Sequence, residues 1–368
     1  MKKRIVFLNT GTGWGGVEGW HYKTAISLKK RGHKIFVLAV EDTPFFNRCQ
    51  EAGIEVEKIK KIRNSTFLNP IYQYCLIKFL KNKRIDAIFF CQSSHFKYAS
   101  IAARLAGLKK IIYRRALAKP INNTFYNRLL LKKCVTHFMA ISKVTLDTSI
   151  SKIPKQCLPE EKIKLIYNGV DLNRFTNPEI KKDIRAEYRI DSDAVVIANI
   201  GRLSRQKAQQ YFIESLPEVL NKYPDTYALL IGKGSKEELL KDRVEELSIQ
   251  DKVIFTGFRD DIPSILKQID FLVHTAIYEG CPWIILEAMM VGVPIVATNG
   301  STLPEFIDDG KNGYLAEDKN PAGIAKKIIK MIENEDRSRM GKIGQETAIK
   351  KYSFENMIDN IEKEILLK

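Results

Sequence analysis

The stretch FLVHTAIYEGCPWIILEAMMV, residues 271–291, holds the pattern that decides the fold. A short apolar run at residues 271–274 predicts a buried strand, and the apolar segment at residues 283–291 predicts a helix. Gly280 and Pro282 mark the turn between them. Glu279 then falls in a strand-to-helix loop, at the carboxyl edge of a parallel sheet where ligands commonly bind.

The same strand-and-helix unit recurs along the chain. Further strands are predicted at residues 5–8, 35–40, 87–90, 110–113, 136–141, 163–167, 194–200, 227–231, 252–255 and 294–297. Helical patterns between them lie at residues 16–31, 69–83, 95–107, 207–222, 236–247 and 320–334. Such alternation predicts an α/β protein with parallel sheets. A polar stretch at residues 168–193 predicts the boundary between two consecutive domains of parallel strands and helices, with the cleft between them as the expected site.

The net charge of +17 is concentrated in the first half of the 368-residue chain. Residues 1–170 hold 32 Lys and Arg against 10 Asp and Glu, a net charge of +22, whereas residues 171–368 carry −5. This asymmetry predicts that the first half meets nucleic acid, an acidic membrane surface or a phosphorylated substrate. Ordinary hydrophobic and charged fractions, 45% and 28%, exclude a wholly disordered or fibrous chain.

Cysteine spacing and hydropathy indicate a cytoplasmic protein. The six cysteines form no C-x-x-C pair and no zinc-like spacing, which favours reduced thiols. No apolar run approaches the roughly 20 residues that span a bilayer. The four apolar residues after Arg4 are too few for a signal peptide. The chain is therefore expected in the cytoplasm, or on the inner face of the cell membrane without crossing it.

A glycine-rich loop, GTGWGG at residues 11–16, follows the first predicted strand and precedes a helix. Its glycines satisfy G-x-G-x-x-G, and Glu41 and Asp42 end the second strand, where a dinucleotide enzyme would hold a ribose. Three interpretations remain open at this point. The loop belongs to an NAD-dependent oxidoreductase, it binds another anion or substrate, or it is a tight turn only.

Two acidic residues, Glu279 and Glu287, flank the turn in the second half. Glu287 lies about one helical turn into the predicted helix, and backbone N–H groups at residues 280–284 are suited to hold a phosphate between the two carboxylates. Because carboxylates accept hydrogen bonds from hydroxyl pairs, this arrangement favours a sugar nucleotide. The alternative is a solvated Glu279 and a surface salt bridge at Glu287.

A second strand-to-helix loop, residues 201–207, carries two cations. Arg202 can grip a diphosphate through its planar guanidinium, and Lys207 can act as a point charge. Gly232, which closes the next strand, either caps the nucleotide side or forms a plain turn.

Together these motifs resemble the retaining glycosyltransferases of family four, whose GT-B fold has two Rossmann-like domains facing a central cleft. The matching elements are residues 15–18 (GGVE), 140–143 (AISK), 167–171 (YNGVD) with Arg174 and Phe175, 201–203 (GRL) with Gln206 and Lys207, 256–258 (TGF) and 279–289 (EGCPWIILEAM). They occur in the family's order and cover nearly the whole chain.

The resemblance implies a domain plan and a reaction. Residues 1–172 would bind the acceptor, residues 173–352 would bind the nucleotide sugar, and residues 353–368 would form a helix that crosses back to the first domain. The sugar would be transferred with retention of anomeric configuration, with a donor phosphate oxygen taking the acceptor proton. A nucleotide-diphosphate sugar is the expected co-substrate, and neither a metal nor another cofactor is expected.

The resemblance also implies residue roles. Arg202 and Lys207 would hold the diphosphate, Glu279 would contact the sugar, Glu287 would contact the ribose, and Glu18 would lie on the acceptor side. The other residues expected on the donor side are Gly15, Gly16, Gly232, Phe258, Arg259, Gly280, Cys281, Pro282, Trp283 and Ile284.

The sequence departs from the family pattern in the first domain. Many members carry a histidine where this chain has Arg114 and Arg115, which we expect to bind a phosphate of donor or acceptor. His95, one loop earlier, either faces the cleft as a catalytic group or packs at a helix start. Trp283 stands where a smaller or polar residue is common. The D-x-D at residues 191–193 precedes a strand and is interpreted as a solvated turn.

The basic first half suggests what the acceptor is. Residues 69–84 and 124–133 mix aromatic, aliphatic and basic residues at helical spacing, which suits helices on an anionic bilayer surface. The alternative is that their apolar faces pack in the core. We expect a monomer that glycosylates a saccharide or lipid-linked saccharide in cell-envelope polysaccharide or lipopolysaccharide core synthesis. Nucleic-acid binding is the competing interpretation of the charge, but no recognition motif accompanies it.

Overall fold

The computed structural model describes residues 2–176, 180 and 182–367. The chain forms two compact units, Met1–Tyr167 with Met357–Lys368, and Asn168–Asn356. It passes into the second unit at residue 168 and returns to the first at residue 357. Part of the predicted boundary stretch, including Pro178, lies outside the described residues.

A seven-stranded parallel sheet forms the centre of the first unit, in the order β3-β2-β1-β4-β5-β6-β7. Its strands are β1 Arg4–Asn9, β2 Lys34–Ala39, β3 Glu55–Lys58, β4 Ala87–Phe90, β5 Lys110–Arg115, β6 His137–Ala140 and β7 Ile163–Leu165. Its helices are α1 Gly16–Lys30, α2 Pro44–Glu51, α3 Pro70–Asn82, α4 Ser93–Leu105, α5 Phe125–Lys133 and α6 Lys143–Ile150. Short 3₁₀ turns lie at Thr66–Leu68, Lys155–Cys157 and Glu160–Lys162.

A six-stranded parallel sheet forms the centre of the second unit, in the order β10-β9-β8-β11-β12-β13. Its strands are β8 Val195–Ile200, β9 Thr226–Ile231, β10 Val253–Gly257, β11 Phe271–His274, β12 Ile295–Thr298 and β13 Tyr314–Ala316. Its helices are α7 Leu172–Thr176, α8 Ile184–Tyr188, α9 Gln209–Lys222, α10 Glu237–Glu246, α11 Ile262–Leu266, α12 Trp283–Val291, α13 Pro321–Ile332 and α14 Arg337–Tyr352. A 3₁₀ turn lies at Leu303–Glu305.

The last helical segment joins the C-terminal residues to the first unit. Helix α15 spans Phe354–Ile361 and continues as a π-helical stretch, Glu362–Leu366. In the first unit, the indole N–H of Trp20 donates to Sδ of Met357 at 3.2 Å, and Nε2 of His33 lies 2.8 Å from Oε1 of Glu362.

The predicted fold class, two parallel-sheet α/β domains, is confirmed. Strands β4 and β11 and helix α12 have the limits that apolar patterning predicts, since buried parallel strands and apolar helices carry the strongest pattern. Strands β3 and β13 were not predicted. Three of the four residues of β3 are charged, and β13 has three residues only, so neither shows the apolar run of a central strand.

Glycines close neighbouring strands of the second sheet and bring their ends together. Gly201, Gly232 and Gly257 follow or end β8, β9 and β10. Gly232 has a φ of +141°, and a Cβ there would lie 2.0 Å from the carbonyl oxygen of Gly201. Only glycine fits this close approach. The backbones at the carboxyl ends of β8 and β9 therefore lie in close contact at this point.

Two features of the described residues bear on the predicted location. No helix among them combines the length and the apolarity that crossing a bilayer requires. All six cysteines, each of which lies in the described ranges, carry free thiols.

Candidate functional site

Two strand-to-helix loops of the second unit meet at the carboxyl edge of its sheet. Residues 201–208 connect β8 to α9, and residues 275–282 connect β11 to α12. Because β8 and β11 are paired neighbours, both loops leave the sheet side by side. This edge is where ligands bind in open parallel sheets.

Hydrogen bonds join the two loops. The backbone N–H of Ile277 donates to the carbonyl oxygen of Gln206 at 3.0 Å, and the Gln206 side chain donates to the carbonyl oxygen of Tyr278 at 2.9 Å. The Thr275 hydroxyl donates to the carbonyl oxygen of Lys207 at 3.2 Å. These contacts fix the position of one loop relative to the other.

An ion pair between Lys207 and Glu279 completes this connection. The Glu279 side chain is 9% exposed and that of Lys207 is 20% exposed, so water screens the pair only partly. The Ser301 hydroxyl holds the Glu279 backbone, accepting from its N–H at 3.0 Å and donating to its carbonyl oxygen at 2.9 Å. Glu279 and Lys207, predicted separately from two loops, therefore lie in contact.

Glu279 is held in its ionised form by its neighbours. Burial by itself would raise the pKa of its carboxyl, but the His274 ring, with Nε2 at 3.4 Å, and the Lys207 ammonium outweigh burial and lower the pKa to about 2. Burial, reinforced by the Lys207 charge, lowers the pKa of His274 against the opposing effect of Glu279. At neutral pH the cluster therefore presents a carboxylate, an ammonium and a neutral imidazole.

The N-terminus of α12 adjoins this cluster. The helix begins at Trp283 with Pro282 as its N-cap and no side-chain cap, which places the positive end of the helix dipole beside the cluster. Cys281 and Ile284 are buried beside it, and Glu287 is half-buried one turn further along. The sequence predicted this turn and helix start correctly.

The remaining donor-side residues have differing environments. The guanidinium of Arg202 is exposed and forms no ion pair with any residue that the structure describes. Phe258 is exposed, whereas Arg259 is bound at 2.7 Å by Asp261 and at 2.7 Å by Glu187, which raises its pKa. Arg259 thus fixes the loop after β10.

In the first unit, the glycine loop opens α1 with Gly15 as N-cap and Gly16 as first residue. The Glu18 carboxylate accepts a hydrogen bond from Asn9 at 3.3 Å and lies over the loop, 2.4 Å from where a Cβ of Gly11 would stand. A carboxylate there repels a pyrophosphate. The dinucleotide interpretation of the loop is therefore disfavoured.

His95 is fully buried at the start of α4. Its Nε2 lies 2.7 Å from the Thr10 hydroxyl, and burial lowers its pKa to about 3. Of the two alternatives for this residue, the environment favours packing at a helix start. The family's catalytic histidine has no exposed counterpart at this position.

Arg114 and Arg115 have different surroundings. Arg114 is 1% exposed, stacks on the Trp20 ring with its Cζ 4.0 Å from the centroid, and lies against Cys91. Arg115 borders a cavity of the first unit.

His21 is buried against Cys91, which Arg114 also contacts. It was not singled out from the sequence. Its Nδ1 lies 3.2 Å from Asn9 and its Nε2 lies 3.3 Å from Cys91. Burial, with the Arg114 charge, lowers the pKa of His21 well below its usual value. One signal could have found it: it lies on the first helix, directly after the glycine loop.

The D-x-D at residues 191–193 is an exposed turn, as predicted, with the Ser192 hydroxyl donating to Asp193 at 2.7 Å. Among the described residues, no group of three or more His, Cys, Asp or Glu side chains is arranged to hold a metal ion. The absence of a metal in the reaction stays a prediction.

Comparison with known families assigns both halves of the chain to one class of protein. Residues 14–174 match the model "Glycosyltransferase Family 4", and residues 180–347 match "Glycosyl transferases group 1". The two matches follow one another and each falls largely in one structural unit.

Individual relatives agree with these matches. The chain is 24% identical to spore coat protein SA of Bacillus subtilis, over 94% of this chain and 93% of the relative. It is 24% identical to the UDP-Gal:alpha-D-GlcNAc-diphosphoundecaprenol alpha-1,3-galactosyltransferase of Escherichia coli, over 78% of this chain and 76% of the relative. The crystal structure of HepE of Anabaena in complex with UDP shares the fold, with a TM-score of 0.83, 23% identity and 99% coverage of both chains.

The lowered pKa of Glu279 predicts a pH-dependent contribution to stability. Its folded pKa, about 2, lies below the ordinary 4.5, so the ionised carboxylate stabilises the fold above about pH 4.5 and this contribution disappears as the pH falls towards 2. The difference in free energy of unfolding between wild type and Glu279→Gln should shrink over that interval, as measured by urea unfolding. Glu346→Gln, an exposed control without an ion pair, should show no such change. If the difference in free energy of unfolding between wild type and Glu279→Gln stays constant from pH 5 to pH 3, the prediction is wrong.

Proposed function

We propose that this chain, which belongs to the GT-B glycosyltransferases of family four, transfers a sugar from a nucleotide-diphosphate sugar to a saccharide or lipid-linked saccharide acceptor with retention of configuration. Its main support is the pair of hydrogen-bonded loops in the second unit, in which Lys207 forms an ion pair with Glu279 beside the N-terminus of α12. The UDP bound by HepE of Anabaena supports UDP as the nucleotide.

Arg202 and Lys207 are assigned to the diphosphate. Departure of a nucleoside diphosphate leaves negative charge on its outer phosphate, and cations placed there stabilise the transition state. The exposed guanidinium of Arg202 can bind two phosphate oxygens at once. Lys207 is a point charge whose position is set by Glu279. The positive end of the α12 dipole adds to this stabilisation.

Glu279 is assigned to the sugar and Glu287 to the ribose. With a pKa of about 2, Glu279 is a carboxylate at any physiological pH and accepts hydrogen bonds from hydroxyl groups. It is a poor general base for the same reason.

In the proposed step the acceptor oxygen bonds to the anomeric carbon while the bond from that carbon to the phosphate oxygen breaks on the same face. The acceptor proton goes to the departing phosphate oxygen, so no protein base and no metal are required.

The acceptor is assigned to the first unit and to the cell envelope. The Escherichia coli relative acts on a diphosphoundecaprenol-linked sugar, by its name, which supports a lipid-linked saccharide and a role in cell-envelope polysaccharide or lipopolysaccharide synthesis. We extend this proposal to a monomeric enzyme in the cytoplasm that attaches to the inner leaflet of the membrane.

Exposed apolar side chains of the first unit support membrane attachment. Leu76 and Leu80 of α3 and Leu130 and Leu131 of α5 pack in the core, so the core-packing alternative accounts for one face of each helix. Other side chains remain exposed: Leu68, Ile71 and Tyr74 at α3, and Phe125, Tyr126 and Leu129 at α5.

Basic side chains adjoin this apolar surface. Both α3 and α5 contact α4, where Nζ of Lys97 lies 4.7 Å from the Phe67 ring centroid and 5.8 Å from that of Tyr126. Lys78, Lys81, Lys132 and Lys133 are exposed on the two outer helices. Each well-placed basic residue contributes about 1 kcal/mol on an anionic bilayer, so a few of them suffice for reversible attachment.

Removal of either charge of the joined loops should almost abolish transfer. Lys207→Ala and Glu279→Ala should each reduce the rate by about 100-fold or more, because one loses a diphosphate contact and both lose the pair that positions the loops. The measurement is release of labelled sugar from a panel of nucleotide sugars, with the anomeric form of the product read by NMR. Lys222→Ala and Glu333→Ala, which break an exposed ion pair of the same unit, are the matched controls. Near-normal turnover in both test variants, or an inverted product, contradicts the proposal.

Membrane attachment should depend on both lipid charge and the exposed apolar residues. Wild type should sediment with liposomes that contain anionic lipid and not with neutral ones. Ile71→Ser combined with Phe125→Ser should lower the bound fraction several-fold, whereas Leu239→Ser, at an exposed leucine of the second unit, should not. Equal sedimentation with anionic and neutral lipid would rule out this part of the proposal.

A further inference from the structure

Arg115 is a buried cation that pairs with no carboxylate among the residues that the structure describes. It ends β5 and is 6% exposed. Its guanidinium donates to the hydroxyls of Tyr113, Ser149 and Ser93 at 2.9, 3.2 and 3.5 Å, and to the carbonyl oxygen of Lys119 at 2.5 Å. All four acceptors are neutral. Since burial of a charge is costly unless an opposite charge compensates it, this arrangement points to an anion that comes from outside the protein.

The charged residues that line the cavity beside Arg115 are all cations. It measures about 380 Å³, within the range of small-molecule sites. Lys97 and Lys119 line it together with Arg115, and no Asp or Glu is among its lining residues. Neither lysine forms an ion pair with any described carboxylate. Phe96, Tyr113 and Ile121 provide an apolar portion of the wall.

The N-terminus of α4 opens into the same cavity. Ser93 and Ser94, its first two residues, line the cavity, and the N-cap residue Gln92 makes no capping hydrogen bond with its side chain. The first backbone N–H groups of a helix have no partner within the helix and favour an anion. A helix terminus and a buried guanidinium thus point independently to the same kind of ligand.

We propose that this cavity binds a phosphoryl group of the acceptor. The inference rests on the proposed function, since it assigns to the acceptor of that reaction a phosphate or diphosphate group. Three cations and a helix terminus exceed what a single carboxylate would neutralise, whereas a phosphate carries up to two charges and several acceptor oxygens. The cavity lies at the carboxyl ends of β4 and β5, the ligand-binding edge of a parallel sheet.

The binding test uses three probes and does not depend on sugar transfer. Inorganic pyrophosphate, geranyl diphosphate and uncharged geraniol are titrated calorimetrically into the full chain, with UDP at saturation to occupy the donor site. Lys97→Gln combined with Lys119→Gln should weaken binding of both phosphate probes by about tenfold or more, because each charge-assisted contact contributes that much. Arg104→Gln combined with Lys109→Gln removes the same charge from two exposed positions, one in the last turn of α4 and one in the loop that follows it, and should leave affinity unchanged. Arg115→Gln should also weaken binding. The test relies on the two lysine substitutions because Arg115 is buried.

The outcomes separate two sources of the phosphate. Tighter binding of geranyl diphosphate than of pyrophosphate supports a lipid-linked acceptor, and equal binding of the two supports a water-soluble phosphorylated saccharide. Equal affinity of the two double variants, or equal binding of geraniol, overturns the proposal. A failure of the proposed function gives a different result. In that case the chain binds pyrophosphate through Lys97 and Lys119 but transfers no sugar, which refutes the function and supports the phosphate site.

Discussion

The contact between Lys207 and Glu279 is the interaction on which the candidate site depends. It joins two loops that are 72 residues apart in the chain, and it does so in a partly buried setting where the carboxylate pKa falls to about 2. Removing one partner leaves a buried charge uncompensated, which costs more than the pair itself contributes. The surrounding hydrogen bonds from Thr275, Gln206 and Ile277 give the pair a fixed geometry. A site that must stabilise a leaving diphosphate benefits from cations that are already in position.

Local patterning predicts the fold well, because most of the parallel strands are apolar runs and the helices between them show a helical period. Residues 271–274 and 283–291 illustrate this, since both elements have the predicted limits. The charged edge strand Glu55–Lys58 shows where patterning fails: an edge position exposes one side to water and needs no apolar run.

The candidate site could be predicted only in part, for a different reason. The loops that carry Arg202, Lys207 and Glu279 are visible in the sequence, because they follow predicted strands and contain glycine or proline. Which charges are neutralised is decided by residues far away in the chain. Arg259 is bound by Glu187, 72 positions earlier. Arg114 is covered by Trp20, and His95 is buried against Thr10. No spacing rule in a single sequence reveals these contacts.

The charge asymmetry of the chain takes on a more specific meaning in the structure. In the first unit, most of the excess lysines are surface residues. Arg115 is buried beside a cavity, with no counter-ion in the part of the chain that the structure describes. Surface charge favours an anionic bilayer, whereas a buried guanidinium selects a particular anionic group. A lipid-linked phosphate would satisfy both demands. Under these proposals the second unit binds the diphosphate of the donor and the first unit binds a phosphate of the acceptor.

In the proposed function, the loop edge of the second unit binds a nucleoside diphosphate through Arg202. The most direct measurement is calorimetric binding of UDP, GDP and ADP and of their monophosphates to wild type, Arg202→Gln and Arg205→Gln, the last being an exposed arginine of the same loop. Wild type and Arg205→Gln should bind one nucleoside diphosphate at least about tenfold more tightly than its monophosphate, and Arg202→Gln should lose this preference. Equal binding of diphosphate and monophosphate by wild type, or an unchanged preference in Arg202→Gln, would contradict it.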